Sequence, residues 1–249
     1  MVEPVNVVPL FNDLAKIEHD HRVACQDCSL YRLCLPLGLT NIDLVQLDTI
    51  IKRSDSYTRG KSLFSTDKPF KSLYVVRSGS FKTTIEATNG REQVTGFYFP
   101  GEFLGLDAIN QEAYQSHAVA LESSTVCELP FDSMQEIGKD MPQLQVQLLT
   151  RLSKELSGDK SLMLLLGKKT ADEKLATFLL SLAKRFKERG FSATDFQLSM
   201  SRGDIANHLG LAVETVSRIL TRFQDQGLIS IDGKQISLTE SEQLANLCG

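Results

Sequence analysis

The stretch "SMSRGDIANHLGLAVETVSRILTRFQDQ", Ser199–Gln226, decides the fold. Ile205, Ala206 and Leu209 fall on one face of a helix expected over Arg202–Leu209. Small Ala206 permits close helix approach, and Gly210 suits the position just past a helix end, where φ is often positive. A second helix is expected from Val213, with Val216, Ile219, Leu220 and Phe223 turned inward. Two short helices joined by a glycine turn make a helix-turn-helix, whose second helix enters the DNA major groove. The following "GLISIDGKQISL" alternates polar and apolar residues about Asp232-Gly233, the pattern of a two-residue hairpin. Helices and hairpin together predict a winged helix-turn-helix.

The outer face of the second helix carries Glu214, Ser217 and Arg218, side by side at i, i+3 and i+4. Arg bonds guanine O6 and N7 as a fork, and Glu accepts from cytosine N4. A carboxylate repels phosphate, so base-edge reading is the favourable role for Glu214 at a DNA surface. The competing role is a surface Glu214–Arg218 ion pair worth about 0.3–0.5 kcal/mol. Position at the start of the helix favours base reading.

Charge agrees with this placement. The chain of 249 residues has net charge −4, which argues against indiscriminate coating of nucleic acid. Between Lys168 and Arg222, however, ten Lys/Arg stand against six Asp/Glu, whereas residues 1–167 hold sixteen against twenty-one. The basic excess therefore lies in the part expected to meet phosphate. Hydrophobic content of 42% and charged content of 23% are ordinary globular values. No apolar run approaches the ~18 residues of a membrane span. The N-terminus shows no basic n-region or small-residue cleavage site, so a secretory leader is not expected and a cytoplasmic setting is.

Upstream, residues 39–138 read as short alternating strands punctuated by glycines, as in "LYVVRSGSFKTTIEATNGREQVTGFYF", with a turn at Asn89-Gly90. That pattern predicts a sandwich or jelly roll. From Pro142 the period becomes helical: Leu149, Leu152, Leu156, Asp159, Met163 and Leu166 recur every three or four residues, a heptad seam. Such a helix either zips to a second copy or lies on its own β-domain. Asp159 is the odd member of the stripe. Across a two-fold axis its charge would repel its mate and keep the dimer marginal; turned to the rim, it would only fix register. The expected class is α+β: a cysteine-bearing segment (1–38), a β-roll sensor (39–138), a dimerisation helix (139–168) and a winged helix-turn-helix (169–249).

The preface "HRVACQDCSLYRLCLPLG", His21–Gly38, places Cys25, Cys28 and Cys34 within ten residues, amid Leu30, Leu33, Leu35 and Leu37. Clustered thiols in a non-secreted chain bind metal or do redox chemistry more often than they form disulfides. Cys127, on an expected roll strand, is the plausible fourth ligand; Cys248 is expected to be an idle, exposed thiol. Four thiolates hold 4Fe–4S, 2Fe–2S or structural zinc. The longer third spacing and the remote fourth ligand favour iron–sulfur, with zinc the alternative. A jelly-roll metal enzyme would draw several His from its strands, but only His117 lies in the roll. His19 and His21 precede it, His208 belongs to the DNA reader, and all are expected at the surface.

A β-roll, a long helix and a winged helix-turn-helix, in that order, resemble the cyclic-AMP receptor protein superfamily. There a cyclic nucleotide is held by a glycine-glutamate turn and a following arginine. Here Gly101-Glu102 is present, but the arginine position falls near Gln115–Ala118, "QSHA", and no Arg occurs between Arg91 and Arg151. A buried phosphate without a cation is poorly compensated, so no cyclic nucleotide is expected.

The Cys-x2-Cys-x5-Cys preface, the lone roll cysteine and "VETVSR" on the second helix closely resemble the fumarate-and-nitrate-reduction regulators, oxygen-sensing bacterial members of that superfamily. The resemblance runs from about Val23 to Leu247. It implies a 4Fe–4S cluster on Cys25, Cys28, Cys34 and Cys127, and reading by Glu214, Ser217 and Arg218 of palindromic half-sites similar to TTGAT. It implies a homodimer along the Asp159 helix when the cluster is intact, and loss of dimer and DNA binding when oxygen converts the cluster to a 2Fe–2S form. Contact of RNA polymerase with roll loops near Thr88–Arg91 is also implied, and no enzymatic activity.

Overall fold

The computed structural model describes residues 23–88 and 90–248. Two short 3-10 turns, Cys25–Asp27 and Tyr31–Leu33, open the described chain. A helix then precedes the roll: α1, Asn41–Ile50. The strand-rich reading from residue 39 did not include it. The signal was a capping box, in which Thr40 Oγ1 accepts from the Asp43 backbone N–H and the Asp43 carboxylate accepts from the Thr40 N–H. Ile42 and Val45 stay exposed on this helix, which blurs the apolar stripe that marks an amphipathic segment.

Eight strands build the roll: β1 (Lys52–Arg53), β2 (Ser62–Phe64), β3 (Ser72–Ser78), β4 (Phe81–Glu86), β5 (Glu92–Tyr98), β6 (Phe103–Leu104), β7 (His117–Ala120) and β8 (Thr125–Pro130). They pair antiparallel as two four-stranded sheets, β1-β8-β3-β6 and β2-β7-β4-β5. Between the sheets, Val76, Phe81 and Val126 are fully buried, with Phe64 stacked on Tyr114 at 4.1 Å. Asn89 of the β4–β5 turn lies outside the described residues, as do His19 and His21.

Helix α2 (Phe131–Gly138) closes the roll, and α3 (Pro142–Lys168) begins with proline at its first turn, where the missing N–H costs nothing. Then come α4 (Ala171–Glu188), β9 (Asp195–Gln197), α5 (Arg202–Leu209), α6 (Val213–Asp225), β10 (Ile229–Asp232), β11 (Gln235–Leu238) and α7 (Ser241–Asn246). The expected helix-turn-helix is α5–α6. Ser201 and Asp204 form a capping box at its start, and Gly210 takes φ +62° at the turn. The wing differs in two respects. Its sheet has three strands, β10-β11-β9. Asp232 pairs with Gln235, so the two-residue turn is Gly233-Lys234 rather than Asp232-Gly233, with Gly233 at φ +60°.

One core crosses the boundary between the halves. Val94, Phe97, Phe99 and Leu121 of the roll pack with Phe178, Phe196, Leu209 and Val216 of the C-terminal part. His208 is not a surface residue. Its ring lies against Phe97 and Phe178, and Nδ1 sits 3.1 Å from the Val94 carbonyl. Burial depresses its pKa, which favours the neutral ring.

Candidate metal centre and nucleic-acid interface

The cysteine loop is pinned to the roll by three devices. Leu35 is fully buried in the core that holds Leu47, Leu73 and Leu144, a burial worth roughly 1.5–3 kcal/mol. Leu33 lies against Gly101, where a Cβ would come within 2.7 Å of the Leu33 Cβ and φ is +87°. The Cys25 backbone N–H donates to Asp48 Oδ1 at 3.1 Å, and the same carboxylate binds the Arg53 guanidinium. Arg53 faces Cys127 across the β1–β8 ladder. Asp48 thus joins the loop to the strand pair that carries the fourth cysteine.

These devices bring Cys25, Cys28, Cys34 and Cys127 together, each within electrostatic reach of at least two others. Burial pushes the Cys25 thiol far up, with Asp48 adding to the rise, and pushes Cys34 up to about 12. Cys127 is raised, again mainly by burial. Without metal these three hold their protons, so thiolate ligation releases protons. Among the described residues no three Cys, His, Asp or Glu converge tightly enough to enclose a single metal ion. Cys248 stands apart. It is half-buried against the C-terminal core rather than exposed, and its carbonyl accepts from Lys169 Nζ.

Helix α3 passes beside this centre. Its seam residues divide between two faces. Leu149, Leu156 and Met163 are 64%, 57% and 73% exposed, and Asp159 is exposed with them. Leu152 and Leu166 instead pack on the chain's own core. Tyr98 of β5 anchors the helix by donating to Glu155 Oε1 at 2.9 Å. Burial lifts the pKa of Asp107 and of Glu155, and the Asp159 charge adds to both. A carboxylate at 159 is therefore felt within the subunit as well as on its open face.

Between roll and α3 lies a cavity of about 720 Å³, with Thr83, Glu102, Asp107, Ser116 and Glu155 in its wall. Glu102 is already engaged: Arg185 Nε donates to it at 3.0 Å, and Arg189 lies 2.6 Å away. Ser116, at the "QSHA" position, donates to Asp107 at 3.3 Å. A carboxylate stands near the place where a cyclic phosphate would need a cation.

On α6, Glu214 and Arg218 are exposed and Ser217 is half-buried. Arg218 donates to Thr215 Oγ1 at 3.3 Å, and Arg202 reaches Ser217 Oγ at 3.5 Å. No Glu214–Arg218 ion pair occurs among the described residues.

Family models and relatives agree with this architecture. A Crp-like helix-turn-helix domain matches residues 173–247, and a cyclic nucleotide-binding domain matches residues 54–140. The transcriptional activator protein anr of Pseudomonas aeruginosa is 50% identical over 90% of this chain and 92% of its own. The fumarate and nitrate reduction regulatory protein of Escherichia coli is 45% identical over 91% of each. This chain belongs to the fumarate and nitrate reduction regulator family. Members are transcription regulators of the CRP/FNR superfamily, so the jelly-roll enzyme alternative is set aside. The structure of FixK2 from Bradyrhizobium japonicum, 31% identical, superposes with a TM-score of 0.74 over 80% of this chain and 98% of that one. This regulator contains no helix, among the described residues, long and apolar enough to cross a membrane.

Sequence reasoning did not find Asp48, Arg53, Arg185 or Arg189. Asp48, Arg185 and Arg189 act through partners distant in sequence, Cys25 for the first and Glu102 for the other two, and the nearby Arg53–Asp48 pair forms no recognised motif.

Proposed function

We propose that this protein is a cytoplasmic, oxygen-responsive regulator that carries a 4Fe–4S cluster on Cys25, Cys28, Cys34 and Cys127. With the cluster intact it dimerises along α3 and binds a two-fold operator with half-sites similar to TTGAT. The observation that carries this reading is the meeting of three loop cysteines with Cys127 beside the dimer helix. The donor set suits the group: four thiols, three of them largely buried, which as thiolates match the ligand set of an iron–sulfur cluster. When bound, the cluster supplies an oxygen-labile bridge between loop and roll.

The chain's own residues do the rest. Leu35 and Asp48 hold the loop against the core under α3. A second copy covers Leu149, Leu156 and Met163, and the gain must exceed the repulsion between facing Asp159 carboxylates. Dimerisation sets two α6 helices about one helical turn apart, where Glu214, Ser217 and Arg218 meet base edges. Losing one half-site removes most of the DNA affinity through lost multivalency. The engaged Glu102 and the Asp107 carboxylate support a cavity that takes no cyclic nucleotide. RNA polymerase is the further partner, met through roll loops near residues 88–91.

The test is anaerobic purification with assays of iron and acid-labile sulfide, followed by the visible spectrum as air enters. Iron, sulfide and an air-bleached absorbance support the reading. A colourless protein holding only zinc, with an unchanged oligomeric state in air, overturns it.

A further inference from the structure

Arg151 lies on α3 between Thr150 and Leu152, and it reaches the cysteine loop. Its Nη2 donates to the Cys34 carbonyl oxygen at 3.1 Å, across 117 residues of chain. Its Nε is buried and has no partner, the one such side-chain atom among the described residues. No carboxylate forms an ion pair with it among the described residues. A partly buried guanidinium with an idle N–H and no counter-ion is costly, and such a group is retained where an anion joins it.

The neighbouring cysteines become that anion. Each is neutral as a thiol and carries one negative charge as a ligand, so a fully ligated iron–sulfur site is net negative. We infer that Arg151 is both the counter-charge of the ligated cysteine site and the tie that joins the Cys34 loop to the dimer helix. The inference rests on the cluster reading above. It assigns Arg151 a positioning role, since its bond goes to the Cys34 backbone and not to a ligand sulfur. Its neighbour Leu152 packs on the core, and Leu149 and Leu156 flank it on the open seam. A loop fixed by its ligands therefore fixes the stretch of α3 that a second subunit must match.

The experiment compares the full-length parent with Arg151→Gln and Arg151→Lys, all prepared without oxygen. Gln keeps a donor for the Cys34 carbonyl but lacks the charge; Lys keeps the charge but lacks the fork. Arg151→Gln is expected to lose iron to a chelator at least about tenfold faster than the parent, the scale of losing a partner that supports metal ligands. Its dimer dissociation constant, by sedimentation, is expected to rise about tenfold, the usual scale of coupling between sites. Arg151→Lys is expected to hold iron nearly as the parent does. A second readout uses metal-free protein: amide exchange in the Cys34–Leu35 segment is expected to quicken in Arg151→Ala, which loses the bond to the Cys34 carbonyl, and unchanged exchange would remove the tie.

Iron retention and dimer strength in Arg151→Gln equal to the parent's would overturn the inference. So would iron loss from the Lys variant as fast as from Gln, or as fast as a tenfold change should Gln fail to fold. Absence of iron and sulfide from the parent itself is a different result: it removes the cluster reading and this inference with it.

Discussion

Glu102 of the roll and Arg185 of α4 are joined across the two halves of the chain, with Arg185 Nε 3.0 Å from the carboxylate. Arg189, almost fully buried, adds a second guanidinium at 2.6 Å and donates through Nε to the Pro100 carbonyl. Glu102→Gln leaves two guanidinium groups without a carboxylate at a partly dry interface. The expected cost is about 2–3 kcal/mol, below the usual 3–5 for breaking a fully buried pair because Glu102 keeps some solvent. Denaturant unfolding gives the cost, and hydrogen exchange should quicken together near Phe99–Glu102 and Arg185–Arg189.

The same contact predicts an acid response. Burial pushes the Glu102 carboxyl up, but Arg185 and Arg189 outweigh it and hold the pKa below the usual value. Asp204 is likewise held low, its own burial overcome by Lys82 and Ser201. Groups depressed in the folded state stabilise it above their unfolded pKa, near 4 for Asp and Glu, and lose that contribution as pH falls through the folded value. Thermal stability should therefore fall below about pH 4. Glu102→Gln should show a smaller fall over that window, measured by melting at a series of pH values.

Cys127→Ala takes away the roll's own cysteine and trims only a small side chain from the core it packs on, while Leu35, Leu33 and Asp48 still hold the loop. Anaerobic Cys127→Ala is expected to contain under one tenth of the parent's iron, roughly the loss that follows from taking away a direct ligand. It should bind a palindromic operator no better than a single half-site, read by mobility shift. Cys248→Ala, remote from the centre, should match the parent in both assays.

Asp159→Ala removes a charge from the open seam and from the surroundings of Asp107 and Glu155. Sedimentation in air should show a dimer where the parent is monomeric. Removing a like-charge pair at about ε 20 is worth up to a few kcal/mol. A variant as monomeric as the parent would place the switch elsewhere.

On α6, Arg218→Ala should cost about 1–3 kcal/mol on the cognate half-site and relax preference at one base pair. Glu214→Ala should also relax specificity, while weakening cognate binding less, because losing a carboxylate reduces repulsion from phosphate. Competition binding against single-base variants of the half-site separates these outcomes from uniform phosphate loss.

The helix-turn-helix was legible because its rules are local: a glycine suited to the turn at Gly210 and apolar faces with helical period, while the equally local Ser201–Asp204 capping box went unread. Cys25, Cys28 and Cys34 were legible from spacing. What joins them to the remainder of the molecule was not. Asp48 holds Cys25 across 23 residues and Arg151 finds Cys34 over 117, pairings that only tertiary folding creates. His208 was misjudged for the same reason: helical position says nothing about Phe97, which arrives from β5. The exposed Ile42 and Val45 hid α1, whose cap was nonetheless readable at Thr40–Asp43.

The packing of β5 against α5 bears on modular engineering. Asn207 exchanges hydrogen bonds with the backbone at Glu92 and Val94, and Phe97 sits in the same core as Phe178. A chimera that grafts a foreign sensor at Lys168 would replace that strand and strip the reader of part of its floor. Interchangeable halves in this scaffold must therefore be cut with β5 matched to its new neighbour, even though it lies some seventy residues upstream of the splice.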